Sequence, residues 1–190
     1  MEASEALKLL EQAGAVRRGH FVLSSGLHSS VYVQCAQVLQ HPEQAARLAA
    51  ALVAKAGWKG VETVVAPALG GVVWGYELAR QLGARALFVE RNAEGRFELR
   101  RGFQLGRGER VLVAEDVLTT GGSTRETLGV ARASRAEVVG VAALVDRSGG
   151  SVELNVRTWA LVRLDLETYA VGECPQCRNG VPVEKPGSRR

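Results

Sequence analysis

Reactive side chains are most concentrated in residues 111–124, which read Val-Leu-Val-Ala-Glu-Asp-Val-Leu-Thr-Thr-Gly-Gly-Ser-Thr. An apolar strand there delivers two adjacent carboxylates, Glu115 and Asp116, at its C-terminal end. A turn rich in hydroxyls and glycine, Thr119, Thr120, Gly121, Gly122 and Ser123, then opens a helix. In an open α/β sheet, that end of a strand is where ligands bind. The turn offers a phosphate backbone N–H groups, hydroxyls and a helix N-terminus, and its glycines allow close approach. Two carboxylates beside a phosphate repel it unless hydroxyls or Mg²⁺ lie between. A sugar phosphate meets both demands. Its ribose hydroxyls donate to the acids while its 5′-phosphate fills the turn, each charge-assisted bond contributing about 1.5 to 3 kcal/mol. The plain alternative is a helix after a strand, with the acids solvated at the sheet edge. The turn lacks the Lys of a P-loop and the chain carries no G-x-G-x-x-G, so ATPase and dinucleotide readings fall.

The elements that must hold these residues follow from periodicity. Ser4 is expected to cap a short helix with an apolar stripe of Ala6, Leu7, Leu9, Leu10 and Ala13, ending near Gly14. Residues 21–23 and 31–38 carry β-branched side chains around a Ser-Ser-Gly turn, which predicts a hairpin-like lead-in. A helix over 42–56 starts with Pro42, where the missing N–H costs nothing. Strands are predicted at 61–66, 86–89, 110–114 and 137–145, and helices at 71–82 and 123–133. Residues 90–108 predict two short strands or a mobile flap, 158–164 an edge strand, and 174–190 an irregular tail. Continuous Val and Ala runs are what strands buried on both faces look like, so the expected class is α/β, a parallel sheet flanked by helices.

Composition bounds the rest. A chain of 190 residues with 46% hydrophobic content fills one core, so a single domain is expected over 1–190. The N-terminus is acidic where a secretory signal is basic, and apolar stretches such as 48–54 are fenced by Arg47 and Lys55. The expectation is a cytoplasmic protein with no membrane span. Of 24 basic residues only Lys8, Lys55, Lys59 and Lys185 are lysines, a bias that suits bidentate grip on phosphate or carboxylate and that genome composition would equally produce. Aromatics are 5% and no block of five like charges occurs, so no nucleic-acid partner is expected.

The strand with Glu-Asp-Val-Leu-Thr-Thr-Gly-Gly-Ser resembles the phosphoribosyl-pyrophosphate (PRPP) motif of type I phosphoribosyltransferases. Within them the orotate phosphoribosyltransferases fit best. Gly19-His20-Phe21, Ser24-Ser25-Gly26-Leu27-His28-Ser29, Ala66-Pro67-Ala68-Leu69-Gly70-Gly71 and Leu144-Val145-Asp146-Arg147 support the choice, and the resemblance spans residues 5–170. It implies a type I phosphoribosyltransferase-like sheet with a small N-terminal hood over about 1–40 and a tail over about 171–190. It further implies Glu115 and Asp116 on the ribose, and Thr119, Thr120, Gly121, Gly122 and Ser123 on the 5′-phosphate. Ala68, Leu69, Gly70 and Gly71 would meet the pyrophosphate, and Ser25, Gly26, Tyr32, Thr119 and Arg147 the orotate ring. Arg147 also makes chemical sense alone, since a planar guanidinium suits a planar, carboxylate-bearing pyrimidine; a surface Arg paired with Asp146 is the other reading. The implied reaction converts orotate and PRPP to orotidine 5′-monophosphate and pyrophosphate in pyrimidine biosynthesis. Mg²⁺ would be held mainly through PRPP with no direct protein ligand set, in a homodimer. Purine phosphoribosyltransferases, and regulators that sense PRPP while binding nucleic acid, share the motif; the 25–26 and 146–147 segments and the absence of spare length argue against them.

The chain departs from the better-known orotate pattern. A hood lysine is replaced by Ser24, a pyrophosphate-loop lysine by Gly70, and residues 90–103 hold no Lys or His. Charge for the pyrophosphate must then come from Arg91, Arg96, Arg100 or Arg101, with Arg91 the first candidate for a catalytic role; a solvated basic hairpin is the alternative. Cys174-Pro175-Gln176-Cys177 has the spacing of half a zinc site, which Cys35 or a histidine would have to complete. His20 and His28 lie in the hood, where ligand contact is one reading and a purely structural place the other, and His41 reads as a helix lead-in.

Overall fold

A computed structural model describes residues 1–23 and 25–186. In chain order the elements are α1 (Ala3–Gln12), β1 (Val16–Val22), β2 (His28–Val33), α2 (Ala36–Leu39), α3 (Pro42–Ala56), β3 (Thr63–Pro67), α4 (Gly71–Leu82), β4 (Arg85–Arg91) and β5 (Phe97–Leu99). They continue with β6 (Arg110–Leu118), α5 (Gly122–Ala133), β7 (Glu137–Asp146), β8 (Thr158–Arg163), β9 (Thr168–Tyr169), a 3-10 turn (Val171–Glu173) and α6 (Pro175–Arg178). The main sheet has the order β5-β4-β3-β6-β7-β8. Its strands β4, β3, β6, β7 and β8 are parallel, and β5 folds back antiparallel on β4.

Alternation along each central strand sorts the core into two layers. Val64, Ala66, Leu112, Ala114, Ala142 and Leu144 face α1, α3 and α4, while Val65, Val111, Val113, Val141 and Ala143 face α5. Each helix buries a matching stripe, as in α3, where Ala45, Leu48, Ala49 and Leu52 are buried. The helix starts with Pro42 in its first turn and stops at Gly57, whose φ of 66° closes it with an N–H donated to the Val53 carbonyl. Buried Trp74 on α4 donates its Nε1–H to the Ala142 carbonyl at 3.1 Å, which fixes α4 over the sheet.

Most predicted elements are present, with shifted ends. Glu2, not Ser4, is the N-cap of α1, and no side chain caps it. The helix packs against β8 of the main sheet. The lead-in hairpin is real but begins at Val16, because Arg17 and Arg18 lie on the exposed side of β1; residues 36–39, predicted as strand, form α2. The segment over 90–108 is a hairpin in which β5 pairs with the end of β4. The tail is not a loose extension among its described residues. β9 pairs with β2, Glu184 bridges to Phe21, and Glu184 exchanges backbone bonds with His20 and Val22 at 2.8 and 2.9 Å.

The tightest approach of helix to sheet is at Gly75 on α4, where an added Cβ would lie 2.9 Å from Ala66 Cβ and 3.5 Å from Ala114 Cβ. Neither neighbour is a flexible side-chain end, so the helix itself would have to move. Gly75→Ala should gain about 1 kcal/mol of helix propensity and lose about 1–3 kcal/mol to overpacking. A net loss of stability in urea unfolding is expected, and a gain would place α4 farther from β3.

Candidate functional site

Strand β6 runs four residues beyond the predicted end at Ala114, so both acids lie inside it rather than after it. The alternation breaks there. Ala114 and Val117 both pack toward the α3–α4 layer and Leu118 toward the α5 layer, so the phase inverts across Glu115 and Asp116. In a regular strand two successive side chains would face opposite ways; here the two carboxyls lie within hydrogen-bonding reach of each other. Glu115 is 5% exposed and accepts hydrogen bonds from Ser123 Oγ at 2.7 Å and Thr124 Oγ1 at 2.8 Å, both on α5. Burial pushes Glu115 up to about 7 and the Asp116 charge adds to this, while the two hydroxyls oppose it. Burial also raises Asp116, against hydrogen bonds from backbone N–H groups and from Glu115.

The N-cap of α5 is Gly121, which has no side chain, so the helix opens at Gly122 with no side-chain cap. Its first N–H groups are left to the exterior, the arrangement that receives an anion. Gly121 has a φ of 76°, and a Cβ there would lie 2.7 Å from Val152 Cγ1, so the turn requires glycine. Thr119, Thr120 and Gly122 are exposed beside it and Ser123 is half-buried. On the other side of the acids, the 68–71 turn leads from β3 into α4, with a cis Ala68–Leu69 peptide and Leu69 86% exposed. A Cβ on Gly70 would sit 3.0 Å from both Asp116 carboxyl oxygens. The residue that replaces a lysine therefore lets the turn lie directly on the acid.

A cavity of about 1060 Å³ opens at the carboxyl ends of β6 and β7, between them and the hood. Its walls include Ser25, Gly26 and Tyr32 from the hood, Thr119 and Thr120 from the turn, and Arg147 after β7. All but Thr120, expected on the 5′-phosphate, are the expected base-side residues; Ser24 lies outside the described residues. Arg147 does not pair with Asp146. That carboxylate accepts from Ser148 N–H and Oγ at 2.8 and 2.6 Å and faces Arg163 Nε at 3.7 Å. Arg147 Nε is buried without a hydrogen-bond partner, and burial lowers the guanidinium from its ordinary range. A second cavity of about 500 Å³, lined by Glu62, Arg85, Arg107, Gly108 and Glu109, lies at the opposite, N-terminal ends of the strands.

The hairpin arginines do not line the large cavity. Arg91 makes two bonds to Glu126 on α5, at 2.9 and 3.1 Å, and lies over the Phe97 ring at 4.1 Å. Arg101 pairs with Glu90 at 2.6 Å, Arg100 with Glu98 at 3.6 Å and Arg96 with Glu94 at 3.9 Å. Among the cavity-lining residues that local sequence does not announce, two come from the tail. Lys185 and Pro186 reach the wall because the tail pairs with β1. Cys35, considered as a zinc ligand, is buried elsewhere, with its thiol 3.6 Å from the Asp116 carbonyl. His20 and His28 are buried and face Cys174 and Cys177 rather than the cavity.

Comparison with known proteins agrees with this geometry. The phosphoribosyl transferase domain family matches residues 34–167. A Desulforamulus reducens protein named orotate phosphoribosyltransferase is 50% identical over 190 residues, covering 100% of this chain and 99% of that protein. The crystal structure of orotate phosphoribosyltransferase from Aeropyrum pernix superposes with a TM-score of 0.70 at 29% identity, over 83% of this chain and 92% of that one. An adenine phosphoribosyltransferase from Rhodothermus marinus, at 24% identity and a TM-score of 0.66 over 85% of this chain and 99% of that one, shares the fold. The chain therefore belongs to the phosphoribosyl transferase family, alongside relatives named as orotate phosphoribosyltransferases.

Proposed function

We propose that the chain transfers the 5-phosphoribosyl group from PRPP to orotate, releasing pyrophosphate and forming orotidine 5′-monophosphate. The observation that carries the choice of base is Arg147 Nε, a buried guanidinium nitrogen without a partner on the wall of the cavity beside the acids. Leaving a buried charged donor unpaired is costly, and a planar carboxylate-bearing ring supplies the acceptor. In this reading the α5 N-terminus and residues 119–123 hold the 5′-phosphate. Asp116, half-buried and next to Gly70, accepts from the ribose hydroxyls, with Glu115 behind it, anchored to α5. The anomeric C–O bond to pyrophosphate breaks as the C–N bond to the ring forms, through a cation-like ribosyl centre. The chain's contribution is orientation and a fixed negative field beneath that centre, without a covalent nucleophile.

Mg²⁺ fits a site of this kind. Ser123 and Thr124 already occupy a Glu115 oxygen, which leaves Asp116 as the more accessible carboxylate. A single carboxylate suits a hydrated ion held mainly by substrate oxygens. When bound, the ion would neutralise charge on the departing pyrophosphate. We also read the protein as a cytoplasmic homodimer; no helix among the described residues is long and apolar enough to cross a membrane. Leu69, Val73 and Tyr76 leave an exposed apolar stripe that continues from the pyrophosphate turn onto α4, and a second copy of the chain would cover it. Arg91 can serve a pyrophosphate only by leaving Glu126, an exchange that a neighbouring subunit's substrate would drive.

Turnover with PRPP, Mg²⁺ and each of orotate, uracil, adenine, hypoxanthine and xanthine tests the base; orotate is expected to react, and conversion of a purine alone would overturn the reading. In the same assay Arg147→Ala should raise the KM for orotate by about 10- to 100-fold with little effect on that for PRPP, and Arg147→Lys should not rescue it, because the planar fork is lost. Asp116→Asn should lower kcat/KM by about 10- to 150-fold, the equivalent of one charge-assisted hydrogen bond, with an unchanged circular dichroism spectrum. Unaltered kinetics would remove Asp116 from the ribose.

Glu115 also predicts a pH dependence of stability. Its folded value of about 7 lies above the ordinary 4.5, so the fold favours the protonated form. The stability this provides is complete below pH 4.5 and is lost as pH rises through 7. Glu115→Gln keeps an acceptor for Ser123 and Thr124 but cannot ionise. Between pH 5 and 8 the Tm of the ligand-free wild type should therefore fall relative to that of the variant; parallel curves would mean that Glu115 titrates normally.

A further inference from the structure

The four side chains left outside this reading converge on one point. His20 lies on β1, His28 on β2, Cys174 caps α6 and Cys177 lies within it. Their ligating atoms all lie within 4.8 Å of one another, and among the described residues no other group of three or more His, Cys, Asp or Glu side chains is placed to hold a metal ion. We propose that His20, His28, Cys174 and Cys177 form a tetrahedral zinc site that fastens the tail to the hood.

Three features carry it. The first is spacing. Zn–N of about 2.05 Å and Zn–S of about 2.3 Å at tetrahedral angles require N···S edges of about 3.6 Å. The observed separations are 3.5 Å from Cys174 Sγ and 3.6 Å from Cys177 Sγ to His20 Nε2, and 3.3 Å from Cys177 Sγ to His28 Nδ1. The 3.3 Å edge and the 2.7 Å between His20 Nε2 and His28 Nδ1 are shorter than a metal-bound set requires, and a bound ion would open them. The second feature is the tautomer. His20 Nδ1 is 2.8 Å from the Val181 carbonyl, which can only accept, so Nδ1 carries the proton and Nε2 turns a lone pair toward the thiols. A ligating histidine held from behind by a carbonyl is the usual outer-shell arrangement of a metal site. The third is burial. His20, His28 and Cys174 are 3, 5 and 1% exposed, and a closed set of two thiolates and two imidazoles is characteristic of structural zinc. A disulfide between the two cysteines would give the imidazoles no reason to converge there.

The site would act on the cavity at a distance. Val181 follows α6 and leads to Glu184, which pairs with β1 and pairs its carboxylate with Arg17 at 2.7 Å, so Lys185 and Pro186 arrive on the cavity wall. The test is metal content and coordination of the full chain. Purified from zinc-supplemented medium, it should hold about one zinc per chain by elemental analysis. Exchange to Co²⁺ should give intense visible bands of tetrahedral cobalt and a near-ultraviolet thiolate band. Cys174→Ser and Cys177→Ser should each weaken zinc binding at least about tenfold, and His41→Gln should leave it unchanged. A folded wild-type chain that binds neither zinc nor cobalt above background overturns the proposal, as does an octahedral cobalt spectrum. Undiminished zinc binding in the two serine variants would do the same; should these fail to fold, the wild-type content and spectrum decide alone.

Discussion

Keeping two carboxyls side by side in a low-dielectric strand end is the constraint around which the rest is arranged. Desolvation and mutual repulsion both oppose it. The structure answers with hydroxyls from the first turn of α5 on Glu115 and a glycine turn against Asp116. Each compensation has a second effect. Drawing Ser123 and Thr124 onto Glu115 ties the first turn of α5 to the acid, and the glycine N-cap Gly121 leaves that helix end uncapped and receptive to an anion. Replacing a side chain by hydrogen at Gly70 brings backbone close to the acid. The phosphate receptor and the acid pair are thus one arrangement, in which the first turn of α5 both presents free N–H groups and satisfies Glu115.

Local sequence carried a great deal of this. The helices over 42–56 and 71–82 were legible to the residue because Pro42 and the glycines that follow each helix punctuate strong 3.6-residue stripes. The central strands were legible because both faces are apolar, although their ends were not. Nothing local says that β6 continues through two acids to Leu118; parallel pairing with β7 up to Asp146 holds it extended. Nor does any periodicity announce the phase inversion that brings Glu115 and Asp116 together. The turn 119–123 and Arg147 were readable as chemistry because residue type alone restricts what they can bind.

What sequence could not express was long-range. His20 and Cys174 are 154 positions apart, and a C-x-x-C pair beside isolated histidines has many bland explanations until a fold joins them. Arg91 shows the reverse case. Its position after a strand suggested a catalytic cation, whereas Glu126, a third of a helix into α5, occupies the guanidinium. An arginine's availability depends on which acids the fold brings near it, and the chain offers nearly as many acids as bases.

The docking of residues 174–184 onto β1 and β2 has a bearing on how the molecule is made. The hairpin that walls the cavity leaves the ribosome well before the side chains that hold it shut, since His20 precedes Cys174 by 154 positions. Until they emerge, the nascent hairpin has one edge without hydrogen-bond partners and two histidines without the cysteines they face. A polypeptide halted before residue 174 can assemble its central sheet, but it would carry an open vestibule in place of a finished binding chamber.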